Sequence, residues 1–164
     1  MSQENIKVLQ ETIEIRRATA EDFDKLAMLN RELIEDEKHR NPMTVPELKE
    51  RFLRFVNCEN WTVDLFIQNG EIVGFATHRF EPDNAEPSGQ RIYLRQFYIS
   101  RQHRRSGNGR SALELLIQSR FNDKERIVLE VVETNPGGKA FWSRTGFDPY
   151  STIMERVVEK ATTE

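Results

Sequence analysis

Residues Arg91–Leu116, RIYLRQFYISRQHRRSGNGRSALELL, restrict the fold more than any other stretch of the chain. Arg91–Ile99 is rich in Ile, Tyr, Leu and Phe, residues that suit a pleated, half-buried strand. The strand signal stops at Ser100–His103. Arg104-Arg105-Ser106-Gly107-Asn108-Gly109 then opens a helix whose apolar positions Ala112, Leu113, Leu116, Ile117 and Phe121 share one face. A helix N-terminus leaves its first N–H groups unpaired and carries partial positive charge. Glycines there remove the Cβ atoms that would hold a ligand off the backbone. With Arg101, Arg104, Arg105 and Arg110 close by, the stretch reads as a cradle for a pyrophosphate-sized anion.

The rest of the chain supplies strands and helices around this unit. Met1–Glu11 is polar and either frays or leads into a first strand, Thr12–Ala18. Thr19 with an acidic residue at 22 forms a capping box, so a helix follows to about Glu37 with Phe23, Leu26, Ala27, Leu33 and Ile34 inward. Asn41-Pro42 breaks it. Thr44-Val45-Pro46-Glu47 starts a second helix that buries Leu48, Phe52, Phe55 and Val56. Trp61–Gln68 and Glu71–Phe80 flank Asn69-Gly70, a strong hairpin signal. After the turn-rich Glu81–Gln90, the Arg91–Ile99 strand pairs back antiparallel. Arg126–Glu133 is the strand after the cradle helix, parallel to its predecessor through a right-handed crossover. Asn135-Pro136-Gly137-Gly138 enters a short helix to about Thr145, Ser151–Glu159 is a last strand, and Lys160–Glu164 is a polar tail. No repeat or linker interrupts the pattern, so residues 1–164 form one domain. Its class is α+β: a mixed, mostly antiparallel sheet with helices on both faces.

Charge and composition exclude several functions. The formal charge is −3, from 24 basic and 27 acidic residues, without the basic excess of a nucleic-acid binder. The single Cys58 rules out an internal disulfide and suits a reducing cytoplasm. No run of about 18 apolar residues and no leader pattern is present, so a cytoplasmic protein without membrane association is expected. His39, His78 and His103 lack metal-ligand spacing, and no metal is expected.

Arg104, Gly107 and Gly109 satisfy Arg/Gln-x-x-Gly-x-Gly/Ala directly after a strand. This resembles the acyl-CoA-binding motif of the GNAT (GCN5-related) N-acetyltransferases. A second family segment follows in order: a strand, Asn135, and a short helix ending at Gly146-Phe147. The resemblance covers roughly Thr12 to Val158. It implies acetyl-CoA as co-substrate, direct transfer to a primary amine of a small molecule or peptide, and a splayed strand pair holding the pantetheine arm. Backbone groups of Phe97 and Ile99 would bond that arm, with the Phe97 N–H facing the thioester carbonyl, where negative charge grows. Amides from Arg104 through Ser106, Gly107, Asn108 and Gly109 to Arg110 would hold the pyrophosphate, with the Arg104 and Arg105 side chains beside them. Asn135 would lie near the pantetheine amides. A homodimer stays open.

The sequence departs from the family where a proton must move. Trp142 stands where a tyrosine acid is common; indole supplies no proton at neutral pH, so Trp142 is expected to pack beside the acyl chain or the adenine. Tyr93 stands where some members carry a carboxylate, with Arg95 its next neighbour on that face. Tyr98 and Gln96 are candidates for ordering a water, Ser143 and Tyr150 for donating to the thiolate, and Glu130 and Glu133 for the base. The acidic Glu32, Glu35, Asp36 and Glu37 would favour a cationic amine if they line the acceptor pocket. Two rivals remain: a non-catalytic acyl-CoA-binding module, such as a sensor or assembly subunit, and a dinucleotide-binding domain. The latter is suggested by Gly107-x-Gly109-x-x-Ala112, with Glu130 about 20 residues on. A P-loop NTPase is excluded, because no Lys-Ser/Thr follows the glycines.

Overall fold

A computed structural model describes residues 12–104 and 106–162. Among them five strands form one sheet in the order β1-β2-β3-β4-β5. The strands are β1 (Glu14–Arg17), β2 (Thr62–Gln68), β3 (Glu71–Pro82), β4 (Gln90–Ile99) and β5 (Ile127–Val128). The first four pair antiparallel, and β4 pairs β5 in parallel. Four helices cover the sheet: α1 (Phe23–Asp36), α2 (Val45–Asn57), α3 (Asn108–Arg120) and α4 (Pro136–Arg144).

Local chemistry accounts for most boundaries. The Thr19 N–H donates to Asp22 Oδ2 at 2.8 Å, and Thr44 accepts from the Glu47 N–H while Glu47 reaches back to the Thr44 N–H, so both capping boxes form. Asn69 and Gly70 adopt φ of 52° and 75°, the left-handed pair that a tight hairpin requires. The α1/α2 face buries Phe23, Leu26, Phe52, Phe55, Trp61 and Phe75. The opposite face packs Phe66, Val73, Leu94 and Ile99 under Ala112, Leu113 and Leu116 of α3. Val56, expected inside, is exposed; the buried stripe of α2 is Leu48, Phe52 and Phe55.

Two strand expectations need correction. The strand after the cradle helix is Ile127–Val128 alone rather than Arg126–Glu133, and Ser151–Glu159 forms no strand. Alternating apolar residues make a segment able to pair, but pairing needs a receptive edge. Beyond Val128 the chain leaves the sheet, so no straight edge continues for a further strand to join. Tyr150, Ile153, Met154, Val157 and Val158 are all exposed. Met1–Glu11, Arg105 and residues 163–164 lie outside the described residues.

Candidate active site

The site begins with a register change in β4. Thr77 of β3 faces Gln96, yet its neighbour His78 faces Leu94, so Arg95 is an inserted residue and β4 carries a bulge there. The bulge changes which amides point outward. Before it, the Ile92 N–H donates across to Arg126 O at 2.8 Å, on the β5 side. After it, the Ser100 N–H donates to Val73 O at 2.8 Å, on the β3 side. Amides alternate along a strand, so those of Phe97 and Ile99 face away from β3. They face the gap that opens because β5 pairs β4 only at Ile92 and Tyr93. The parallel pair is thus splayed, and the inner edge of β4 is open along Leu94–Ile99.

The gap leads to the N-terminus of α3. Gly107 caps it in the left-handed conformation, φ 78°. The first helical bond is Ser111 N–H to Gly107 O, which leaves the amides of Asn108, Gly109 and Arg110 without acceptors inside the helix. Gly109 lets α3 approach α4: a Cβ there would sit 3.1 Å from the Phe141 ring. Ser106 and Arg110 are exposed, and Arg110 has no ion-pair partner among the described residues. The Asn108 side chain turns inward, donating to His103 O at 2.9 Å and to Gln68 Oε1 at 3.3 Å, so it braces the loop.

The other cations near the loop are committed elsewhere. Arg104 Nε donates to Ile99 O at 2.9 Å and its guanidinium pairs with Asp36. Arg101 pairs with Asp36 and Glu35. Burial pushes the Asp36 carboxyl up, but hydrogen bonds from Arg101 and Arg104 outweigh it and hold the group below its usual range. The Tyr98 hydroxyl donates to Glu32 at 3.0 Å and Asp36 at 3.3 Å. Burial, and then the Asp36 charge, raise the phenol well above its ordinary pKa, so it is no base. Arg101 and Arg104 thus offset the charges of Glu35 and Asp36, while the Tyr98 phenol brings a hydrogen bond but no charge to Glu32. Gln96 is also occupied, between Thr77 Oγ1 at 2.9 Å and Asn30 Oδ1 at 3.0 Å.

Aromatic rings close the α3/α4 side of the gap. Phe97 stacks on Phe141, ring centroids 5.9 Å apart, and meets Trp142 edge-on at 5.4 Å. Trp142 also touches Phe147 at 5.1 Å. Asn135 caps α4 by accepting the Gly138 N–H at 2.9 Å. Ser143 is exposed on α4 and Tyr150 is fully exposed beyond it. The side of the gap towards α1 and α2 carries no such aromatic stack against Phe97. Because the role of Trp142 is packing, Trp142→Phe should retain turnover within about tenfold; complete loss with intact coenzyme binding would show a direct part in the reaction.

Of three groups on that side, sequence reasoning missed Arg51 and named Glu37 and Arg95 without pairing Arg95 with Arg51. Glu37 closes α1, half-buried, with its carbonyl accepting from the Thr134 hydroxyl at 2.6 Å. Burial, then Asp36, raises its pKa. Arg51 of α2 lies over the Phe55 ring, 5.3 Å from its centroid, and Arg95 lies over the same ring at 5.0 Å. Nothing local in the sequence marks Arg51; only packing of α2 against the bulge brings the two arginines together.

A mixed sheet with a splayed parallel pair and a glycine-capped helix beside the gap is the architecture of an acyltransferase. The model of the acetyltransferase (GNAT) family matches residues 25–147, and the chain belongs to that family. No curated protein matches the sequence. Solved structures share the fold at low identity. A predicted acetyltransferase from Clostridium acetobutylicum, solved with acetyl-CoA, is 18% identical with TM-score 0.67, over 89% of this chain and 96% of that one. A possible acetyltransferase from Clostridium difficile 630 is 19% identical with TM-score 0.71, over 92% and 100%. Aminoglycoside N-acetyltransferase AAC(6')-Iy, in complex with CoA, is 11% identical with TM-score 0.71, over 90% and 95%. Among the described residues no helix is long and apolar enough to cross a membrane, and no cluster of His, Cys, Asp and Glu could hold a metal ion.

Proposed function

We propose that this chain transfers an acetyl group from acetyl-CoA directly to a primary amine of a small molecule or peptide. The observation that carries the reading is the open inner edge of β4 running to the bare amides of α3. The pantetheine arm adds to that edge as a strand would, meeting the N–H groups of Phe97 and Ile99. The pyrophosphate takes the amides of Asn108–Arg110, helped by Arg110. Arg104 reaches the phosphates only by leaving or sharing Asp36. The Phe97 N–H stabilises the oxygen that gains charge as the amine attacks the thioester carbon.

For the base we favour Glu130. It follows β5 by two residues and influences the Tyr93 phenol, whose pKa is raised by burial and then by the Glu130 charge. A carboxylate near enough to act on Tyr93 supports a position on the acceptor side of the gap. It takes the ammonium proton, the amine attacks, and the CoA thiolate leaves. Ser143 stays a candidate donor to that thiolate, and Tyr98 acts through its hydrogen bonds as a wall of the pocket. The experiment is calorimetric CoA titration beside an acetyl-CoA thiol-release screen over amino acids, polyamines, aminoglycosides and peptide N-termini. Affinity with turnover supports the reading; affinity with no thiol release across the panel supports a binding module instead. Glu130→Gln should lower kcat by about 100-fold or more with CoA affinity unchanged, and wild-type turnover in that variant would remove the assignment.

A further inference from the structure

Several guanidinium groups of the molecule meet carboxylates. Arg16 pairs with Asp22, Arg79 with Glu81, Arg101 and Arg104 with Asp36, and Arg120 with Asp64. Arg51, Arg54 and Arg95 have no such partner among the described residues. Arg51 is the costly one. It is half-buried, its guanidinium donates to the neutral Asn30 Oδ1 at 2.6 Å, and its Nε is buried without an acceptor. Burial first, and then the charges of Arg95 and Arg54, pull its pKa down to about 10. Two guanidiniums lie over one phenyl ring, Arg95 exposed and Arg51 half-buried, and the Glu59 charge offsets only part of the burial and repulsion at Arg51. An oxyanion would relieve that, and the planar forks of arginine suit one.

Position says which anion. Arg95 is the bulge residue itself, two positions before the Phe97 amide, and it projects to the α1/α2 side with Arg51. The aromatic stack blocks the opposite side. An anion held by these arginines therefore belongs to whatever approaches the thioester from the acceptor side. We propose that Arg51 and Arg95 form an anion subsite of the acceptor pocket, so that the amine acetylated belongs to a small molecule that also carries a carboxylate or a phosphate. The inference rests on the transferase reading and adds the acceptor class to it. It also departs from the expectation of a cationic acceptor, since three of the four α1 carboxylates that suggested one, Glu32, Glu35 and Asp36, are already engaged by Tyr98, Arg101 and Arg104.

The test compares matched acceptors in the thiol-release assay: glycine, alanine and glutamate against their amides, phosphoethanolamine against ethanolamine, and spermidine as the polycation. The anionic member of each pair should have kcat/KM at least about tenfold higher, and the two series tell carboxylate from phosphate. With the better anionic acceptor, Arg95→Gln should raise KM by about tenfold or more while kcat stays within about threefold and CoA affinity is unchanged. Arg95→Lys should recover part of the loss. Calorimetric binding of that acceptor to the CoA-loaded protein should weaken in parallel. Equal turnover of amides or spermidine, or an unchanged KM in Arg95→Gln, overturns the anion subsite and leaves the transferase standing. Absence of CoA binding overturns the transferase reading itself.

Discussion

Gly107→Glu should abolish measurable CoA binding, a loss of more than about 100-fold by calorimetry, while the protein stays folded. Three effects act together. Gly107 sits at φ 78°, where a residue with a Cβ is strained by about 1–2 kcal/mol. The space around it is open, since a Cβ there would meet nothing within 4 Å, so the added side chain is free to turn towards the helix. A carboxylate at the N-cap is then drawn to the same unpaired amides that a diphosphate needs, and it carries the same sign of charge. The variant supplies its own anion to the cradle. Gly107→Ala separates the causes, because it keeps the backbone strain without the charge; it should lose CoA affinity by about tenfold at most. Unchanged affinity in Gly107→Glu, with a native circular dichroism spectrum, would move the diphosphate site away from α3.

What was legible in the sequence was what neighbours along the chain decide. Asn69-Gly70 dictates a hairpin because both positions accept left-handed φ, and the Thr19 and Thr44 boxes start helices wherever they stand. The glycine-capped entry to α3 and the parallel pairing of β4 with β5 follow from the same local logic. Illegible features depend on what arrives from far away. The Ser151–Glu159 segment has a strand's residues but finds no edge. The bulge at Arg95 is a property of two strands together, and it decides that Phe97 and Ile99 present their amides to the gap. Arg104, which the sequence places at the phosphates, is held by an aspartate 68 residues earlier. Charge counts in one segment said little about the pocket, because the acids of α1 and the arginines of α2 and β4 are sorted only when the helices dock.

Asp64→Ala should cost about 3–5 kcal/mol of unfolding free energy, the largest stability effect expected from one substitution here. Asp64 is fully buried on β2. His78 Nε2 is 2.7 Å from its Oδ2, and Arg120 reaches its Oδ1 at 2.7 Å through a terminal nitrogen and 3.1 Å through Nε. Arg120 is the last residue of α3, so this carboxylate ties the far end of the cradle helix to the sheet. Removing it leaves a guanidinium and an imidazole facing a cavity with no acceptor. The pH dependence has a definite sign. Burial alone would raise the Asp64 pKa, but the hydrogen bonds from His78 and Arg120 outweigh it and the folded value lies below the unfolded one. Its contribution is therefore complete above the usual aspartate pKa of about 4 and is lost as pH falls through the folded value. Asp22, held down to about 2 mainly by its hydrogen bond from Arg16, adds to the same acid slope. Urea unfolding between neutral and acid pH should accordingly show a shallower acid loss in Asp64→Asn than in the parent, with the Asp22 part remaining. Equal slopes would mean that Asp64 is no better stabilised as a carboxylate in the fold than in the open chain. Saturating CoA should return part of the lost stability to the variant by mass action, because a diphosphate held by the α3 amides, as proposed, binds the folded chain and not the unfolded one.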